Sequence, residues 1–311
     1  MSSPHARPTV ERMAGYVPGE QPRPGDRIIK LNTNENPYPP SPRVFEAIRQ
    51  ISGDALRRYP SPMADEFRQV AARVHGVTPD AVLAGNGSDE ILQIVLRSYC
   101  SPGDVLASPD PTYSLYPVLA EIGDVRFVTV PWDRNWRLPV HALLSTHPRA
   151  IFFANPNAPS GTVVEPDEVS ALAERTDALV LVDEAYVDFA DGNCLALLAR
   201  HGNVLITRTL SKGYGLAGLR FGYALGHPQM IGQLAKVKDS YNCDAIAIAA
   251  AAAALGDQAY AREQWARVRE ERTRVSAALT ALGFAVIPSQ ANFVLATVPA
   301  GASARTFYDT L

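Results

Sequence analysis

The chain has 311 residues, 47% of them hydrophobic, and a formal net charge of −3. That length can bury a sizeable core, as one large domain with a smaller one beside it, and the charge balance excludes a basic face for nucleic acid. Cys100, Cys194 and Cys243 are odd in number, lack metal-ligand spacing, and read as reduced thiols of a cytoplasmic protein.

The opening Met-Ser-Ser-Pro-His-Ala-Arg-Pro has no apolar core and is not read as a secretion signal. Residues up to about Pro42, rich in proline and polar groups, are expected to form an extended arm crossing a surface. Helical spacing follows over Ala64 to Val74, with Phe67, Val70, Ala71 and Val74 on one side. A second helix is expected to start at Ser88-Asp89-Glu90, its inward stripe being Ile91, Leu92, Val95 and Tyr99. Short apolar strands are predicted at 105–107, 125–130, 151–153, 179–182 and 204–206, with helices such as Glu168 to Arg175 between them. Alternation of this kind predicts an α/β fold, a mainly parallel sheet with helices on both faces, whose ligands sit beyond the strands' carboxyl ends.

The longest apolar stretch, Ala245 to Leu255, falls short of the roughly 20 residues that cross a bilayer. Its alanines suit a helix packed closely on a neighbour. An amphipathic helix is predicted from about Ala259 to Leu282, with Trp265, Val268, Val275, Leu279 and Leu282 inward, ended by Gly283 before a strand at 284–287. A last helix begins near Ser303. The expected division is an arm over 1–45, a large domain over 46–262, and a smaller, C-terminally short α+β domain over 263–311.

Two passages carry chemistry. Lys212 lies within Thr209-Leu-Ser-Lys-Gly-Tyr-Gly-Leu-Ala-Gly-Leu-Arg220. A lysine can form an imine with an aldehyde, and the hydroxyls of Thr209 and Ser211 with the Arg220 guanidinium suit a phosphate on that aldehyde. The combination describes pyridoxal 5′-phosphate. Asp183 ends the apolar run Ala178 to Val182, where a buried carboxylate would hold the protonated ring nitrogen or, more plainly, cap a turn. Tyr186 would donate to the ring oxygen or simply pack. Ala84-Gly85-Asn86-Gly87-Ser88-Asp89-Glu90 is a glycine turn into a helix, both a phosphate seat and an N-cap by Ser88. Tyr113 would stack on the ring face or fill the core. Gly213, Gly215 and Gly218 also match the dinucleotide pattern, with Asp239 downstream, but a strand is expected at 219–225 where that fingerprint needs a helix.

With these residues in order, the chain resembles the fold-type I pyridoxal-phosphate aminotransferases, and among them the histidinol-phosphate aminotransferase group. The resemblance rests on Tyr16-Val-Pro-Gly19, Leu31-Asn-Thr-Asn-Glu-Asn-Pro37, Arg58-Tyr-Pro60, Pro109-Asp-Pro-Thr-Tyr113, Asn155-Pro-Asn-Ala-Pro-Ser-Gly161, Asp183-Glu-Ala-Tyr186 and Thr209-Leu-Ser-Lys212. It implies that Lys212 is the covalent lysine, Asp183 the ring-nitrogen partner, Tyr186 the ring-oxygen donor and Tyr113 the stacking ring. It gives the phosphate to backbone groups of Ser88 and Asp89, to Thr209, Ser211 and Arg220, and to Tyr59 from the neighbouring subunit of a homodimer. Tyr16 and Asn36 fall in the arm that such enzymes fold over the substrate.

The chain departs from the family pattern twice. The family places an asparagine before Pro-Ser/Thr-Gly to bond the ring oxygen; here Ala158 stands there, leaving Asn157 or a water for that contact. The family's carboxylate-binding arginine belongs to a C-terminal segment beyond Leu311. The resemblance implies transamination of L-histidinol phosphate with 2-oxoglutarate. Three rivals share these residues: an aromatic amino-acid aminotransferase, an amino-acid-phosphate decarboxylase, and a cofactor-binding protein without activity.

Overall fold

The computed structural model describes residues 5–16, 19, 21, 22, 25 and 28–310. The readings of Met1–Pro4, of Val17 and Pro18, and of Leu311 lie outside the described residues. A seven-stranded sheet forms the centre, built from β1 (Val82–Gly85), β2 (Val105–Asp110), β3 (Arg126–Pro131), β4 (Ala150–Ala154), β5 (Leu179–Asp183), β6 (Val204–Thr209) and β7 (Gly222–Gly226). Its order is β1-β7-β6-β5-β4-β2-β3, parallel throughout except for β7, which runs antiparallel to β6 and β1.

The central strands read as continuous apolar runs because both of their faces are covered. Alternate residues go to opposite sides. Ile151, Phe153, Val180, Val182, Val204 and Ile206 join one core, against the helices Asp65–His75, Pro166–Ala173 and Ala245–Gly256. Phe152, Leu179, Leu181 and Leu205 join the other, against Ser88–Tyr99, Leu115–Ile122 and Pro228–Ala235. The alanine-rich helix 245–256 is a core element with seven buried residues. Among the described residues no helix is long and apolar enough to cross a membrane.

Several expectations need adjustment: the arm, expected to be extended, holds a helix at Pro8–Arg12, and Gly87 rather than Ser88 occupies the cap position of the helix Ser88–Tyr99. The strand expected from residue 219 starts at Gly222, because Ala217–Leu219 make a 3-10 turn and Arg220 adopts a left-handed backbone, φ +54°. The helix Gln258–Ala281 forms as expected, but its inward stripe is buried only through Val268; Val275 and Leu282 are 36% and 70% exposed. Beyond it lie β8 (Ala285–Val286) paired with β9 (Ala296–Thr297), and the helix Ala304–Thr310.

β1, β2, β4, β5 and β6 all point their carboxyl ends to one edge of the sheet, and β7 begins there. The segments leaving these ends therefore converge on one crevice, where open α/β sheets bind ligands.

Candidate active site

The crevice holds a cavity of about 450 Å³ whose wall includes Asp183, Tyr186, Lys212, Tyr113, Arg220 and Ser88. They come from several strand exits and a helix start. Asp183 is the last residue of β5, and Tyr186 follows on the same loop. Thr209 ends β6, which delivers Ser211 and Lys212. Asp89, Thr209 and Ser211 also line the cavity, and the arm supplies Tyr16 and Asn34.

Asp183 is 3% exposed. Tyr116 Oη donates to its Oδ2 at 2.9 Å, and Thr207 Oγ1 donates to its Oδ1 at 3.1 Å. Burial dominates and pushes the carboxyl up to about 6, against these two hydrogen bonds and one from the Ala185 backbone. Among the described residues no cation is bonded to it, so a protonated ring nitrogen would meet a carboxylate with no such partner.

Lys212 Nζ donates to the Thr33 carbonyl at 2.6 Å and lies 5.7 Å from the centre of the Tyr186 ring. Burial holds its ammonium below the ordinary lysine range; Arg220 and Lys30 act the same way, while Glu35 and Asp89 oppose. A lysine so placed loses its proton more readily and becomes a nucleophile. Its backbone is tied down too, since Asn36 Nδ2 donates to the Lys212 carbonyl at 2.9 Å.

The same cavity carries a candidate anion seat. The helix Ser88–Tyr99 starts from Gly87 with no side-chain cap, leaving its first N–H groups available to an anion. Gly87 has φ +82°, and a Cβ there would sit 2.7 Å from Arg220 Nη2. The absent side chain is what lets the guanidinium lie over the helix start. Asp89 Oδ2 stands 3.4 Å from Arg220 Nη2, and Thr209 Oγ1 donates to Ser211 Oγ at 3.0 Å. Uncapped amides, two hydroxyls and a guanidinium are the donor set of a phosphate monoester, and an amine and a carboxylate share the same cavity. These residues fit pyridoxal 5′-phosphate.

Not every expected site residue meets the cavity. Tyr113 lines it, with Oη 3.4 Å from Asp89 Oδ1 and its ring edge-on to Tyr116. Asn157 does not: it is fully buried, and its amide donates to the Pro111 carbonyl at 3.3 Å and Ser160 Oγ at 2.9 Å. Ala158 faces the cavity instead. Asn36 also stays off this wall, because its amide is spent behind Lys212 on the 212 and 213 carbonyls. Tyr59 is 79% exposed and stacks on Tyr241, centroids 4.4 Å apart, away from the cavity.

Sequence reasoning passed over Tyr116 and Thr207, which hold Asp183, and Asn34, whose Nδ2 donates to Tyr186 Oη at 3.2 Å. It also passed over Glu184. That carboxylate is 1% exposed, accepts from Arg208 Nη2 at 2.7 Å and from the Cys194 N–H at 2.6 Å, and braces the loop after β5.

A family model described as aminotransferase class I and II matches residues 26–311. Histidinol-phosphate aminotransferase 1 of Nostoc sp. is 49% identical over 98% of this chain and 86% of its own length. The histidinol-phosphate aminotransferase of Rhodopirellula baltica is 47% identical over 96% of this chain and 83% of its own. Among solved structures, the histidinol-phosphate aminotransferase from Sinorhizobium meliloti in complex with pyridoxal-5′-phosphate superposes with a TM-score of 0.79. It is 32% identical and covers 84% of this chain and 73% of that one.

Proposed function

This chain belongs to the class I and II aminotransferases, and on that premise we propose that it moves an amino group from L-histidinol phosphate to 2-oxoglutarate with bound pyridoxal 5′-phosphate. The observation that carries the reading is the shared cavity of Lys212 and Asp183, with Ser88, Thr209, Ser211 and Arg220 grouped on its wall. The names of the relatives support the substrate.

The cofactor supplies an electron-withdrawing ring that makes a substrate Cα–H acidic. The residues do the rest. Asp183 keeps the proton on the ring nitrogen, and Tyr186 gives a hydrogen bond to the ring oxygen. Lys212 Nζ would hold the cofactor through its aldehyde carbon and, when free, would carry a proton to and from the substrate Cα. The uncapped helix start, Thr209, Ser211 and Arg220 hold the phosphate, and Tyr113 covers a ring face. Tyr16, which lines the cavity, would meet the substrate.

The same reading includes a homodimer with shared sites, to which the exposed Tyr59 contributes across the interface, and a cytoplasmic setting in which Cys100, Cys194 and Cys243 stay unpaired. It keeps the division at 1–45, 46–262 and 263–311, supported by the sheet falling inside the middle segment and β8–β9 inside the last.

The deciding experiment adds L-histidinol phosphate to the purified yellow protein and follows its visible band. The band should fade, return with 2-oxoglutarate, and leave one glutamate per cycle. A protein that keeps its band with this donor but loses it with unphosphorylated histidinol or phenylalanine would overturn the substrate assignment.

A further inference from the structure

Asn34 lies on the cavity wall and donates from Nδ2 to Tyr186 Oη at 3.2 Å. An amide nitrogen can only donate. The bond therefore occupies a lone pair of the Tyr186 oxygen and leaves the phenolic proton to a different acceptor.

The pair is built from both ends. Asn34 has a left-handed backbone, φ +53°, a conformation that asparagine tolerates better than most side chains. Its carbonyl accepts from Asn292 Nδ2 at 3.0 Å. The next residue, Phe293, sets its ring at 88° to Tyr186 with centroids 4.9 Å apart. Adjacent residues of one segment thus fix the asparagine and the tyrosine together. Elsewhere on the wall Ala158 contributes only a methyl group, and the Asn157 amide is engaged with Pro111 and Ser160.

We infer that Asn34 is a positioning residue that turns the Tyr186 hydroxyl proton into the cavity, onto the ring oxygen of the cofactor, in place of a direct donor at residue 158. The inference rests on the proposed function for the identity of that oxygen. Electrostatics around the phenol agree with it. Burial raises the Tyr186 phenol foremost, with Asp183, Tyr16 and Asp89 adding to the rise; the Asn34 bond works against them, and Lys212 Nζ faces the ring at 5.7 Å.

The test uses two substitutions that the left-handed backbone accepts. Asn34→Asp keeps the shape but exchanges the donor for an acceptor, and Asn34→Gly deletes the side chain without strain. Cofactor dissociation constants are measured for both in the native and Tyr186→Phe backgrounds. Titration of ¹³C-labelled tyrosine in cofactor-free protein, assigned through Tyr186→Phe, reports the phenol directly. Each variant should weaken cofactor binding roughly three- to tenfold when Tyr186 is present, and by less than about twofold when it is phenylalanine. The Tyr186 titration should move upward, further for Asp than for Gly. Losses that simply add to that of Tyr186→Phe, or an unmoved Tyr186 resonance, would overturn the inference. A native protein that fails to bind the cofactor would instead sink the parent reading, and the titration would still judge Asn34.

Discussion

Tyr116 Oη and Asp183 Oδ2 are joined at 2.9 Å inside a wall where Tyr116 is fully buried and Asp183 nearly so. This bond, with Thr207 on the other oxygen, is what the pocket offers the carboxylate before a cofactor arrives. Tyr116→Phe should therefore push the Asp183 carboxyl further up and weaken cofactor binding by roughly three- to tenfold. Asp183→Asn should lower turnover by about 10²–10³-fold, the scale of losing one preorganised electrostatic group.

The same carboxyl makes a stability prediction with a defined sign. Its value is raised from the ordinary 3.8 to about 6 in the folded protein. The unfolded chain thus loses its proton first as pH rises, and folding stability falls across that interval, then levels off above it. The cost at neutral pH is of order 3 kcal/mol. Thermal unfolding of the cofactor-free protein checks this as a difference, which cancels other titrating groups such as His75. The Asp183→Asn variant should gain on the native protein between pH 4 and 6 and hold that gain above; a difference flat with pH would contradict it.

Lys212 is predicted to be needed for the visible band and for proton movement, not for the fold. Among the described residues its Nζ bonds to the Thr33 carbonyl alone. Lys212→Ala should abolish the band, cut turnover by about 10⁴-fold or more, and still bind the cofactor reversibly through the phosphate seat. Equilibrium dialysis and absorption spectroscopy separate these effects. A surviving band would remove the lysine from its role.

The parts of this site that were readable in sequence are those where chemistry and local pattern coincide. β4 and β5 are apolar almost throughout and β2 and β6 open with three apolar residues, so the polar residues that follow these runs stand out. β1 escaped notice because Val82–Gly85 is four residues long and merges into the Gly85-Asn86-Gly87 turn. Tyr116 looks like a core aromatic in Leu115–Ile122, and Thr207 like one more β-branched strand residue. Only the approach of Tyr116 to the end of β5, and the pairing of Asp183 with Thr207 across β5 and β6, turn these hydroxyls to Asp183. Asn34 and Asn36 were legible as arm residues, but their partners are set by how the arm lies across β5 and β6 exits. No spacing in the chain encodes that crossing.

Gly213 should tolerate no side chain. A Cβ at that position would lie 2.6 Å from the Asp188 Cβ, and the glycine cannot retreat because Trp265 Nε1 holds its carbonyl at 2.8 Å and Asn36 Nδ2 at 3.3 Å. Gly213→Ala is expected to cost about 1–3 kcal/mol by overpacking and to blue-shift or weaken the band of the neighbouring lysine. Asp188→Gly removes that Cβ and makes room, so the double variant should lose less stability than the two single changes summed. Additive losses would show that the clash is relieved elsewhere.

Tyr59 provides the sharpest check on the shared site. It is 79% exposed and touches Tyr241 by stacking, so Tyr59→Ala should change folding stability within about 0.5 kcal/mol. If its hydroxyl completes the site of a second copy, the loss appears in cofactor retention and turnover. Mixing then distinguishes this from a local effect. In a dimer of one Lys212→Ala chain and one Tyr59→Ala chain, both lesions fall in one site and the other site is whole. Random reassortment of equal amounts makes half of the dimers hybrid, so about a quarter of the native activity should return. Activity that never exceeds the average of the separate variants would place Tyr59 outside the neighbouring site, and would confine the phosphate seat to the residues of a single chain.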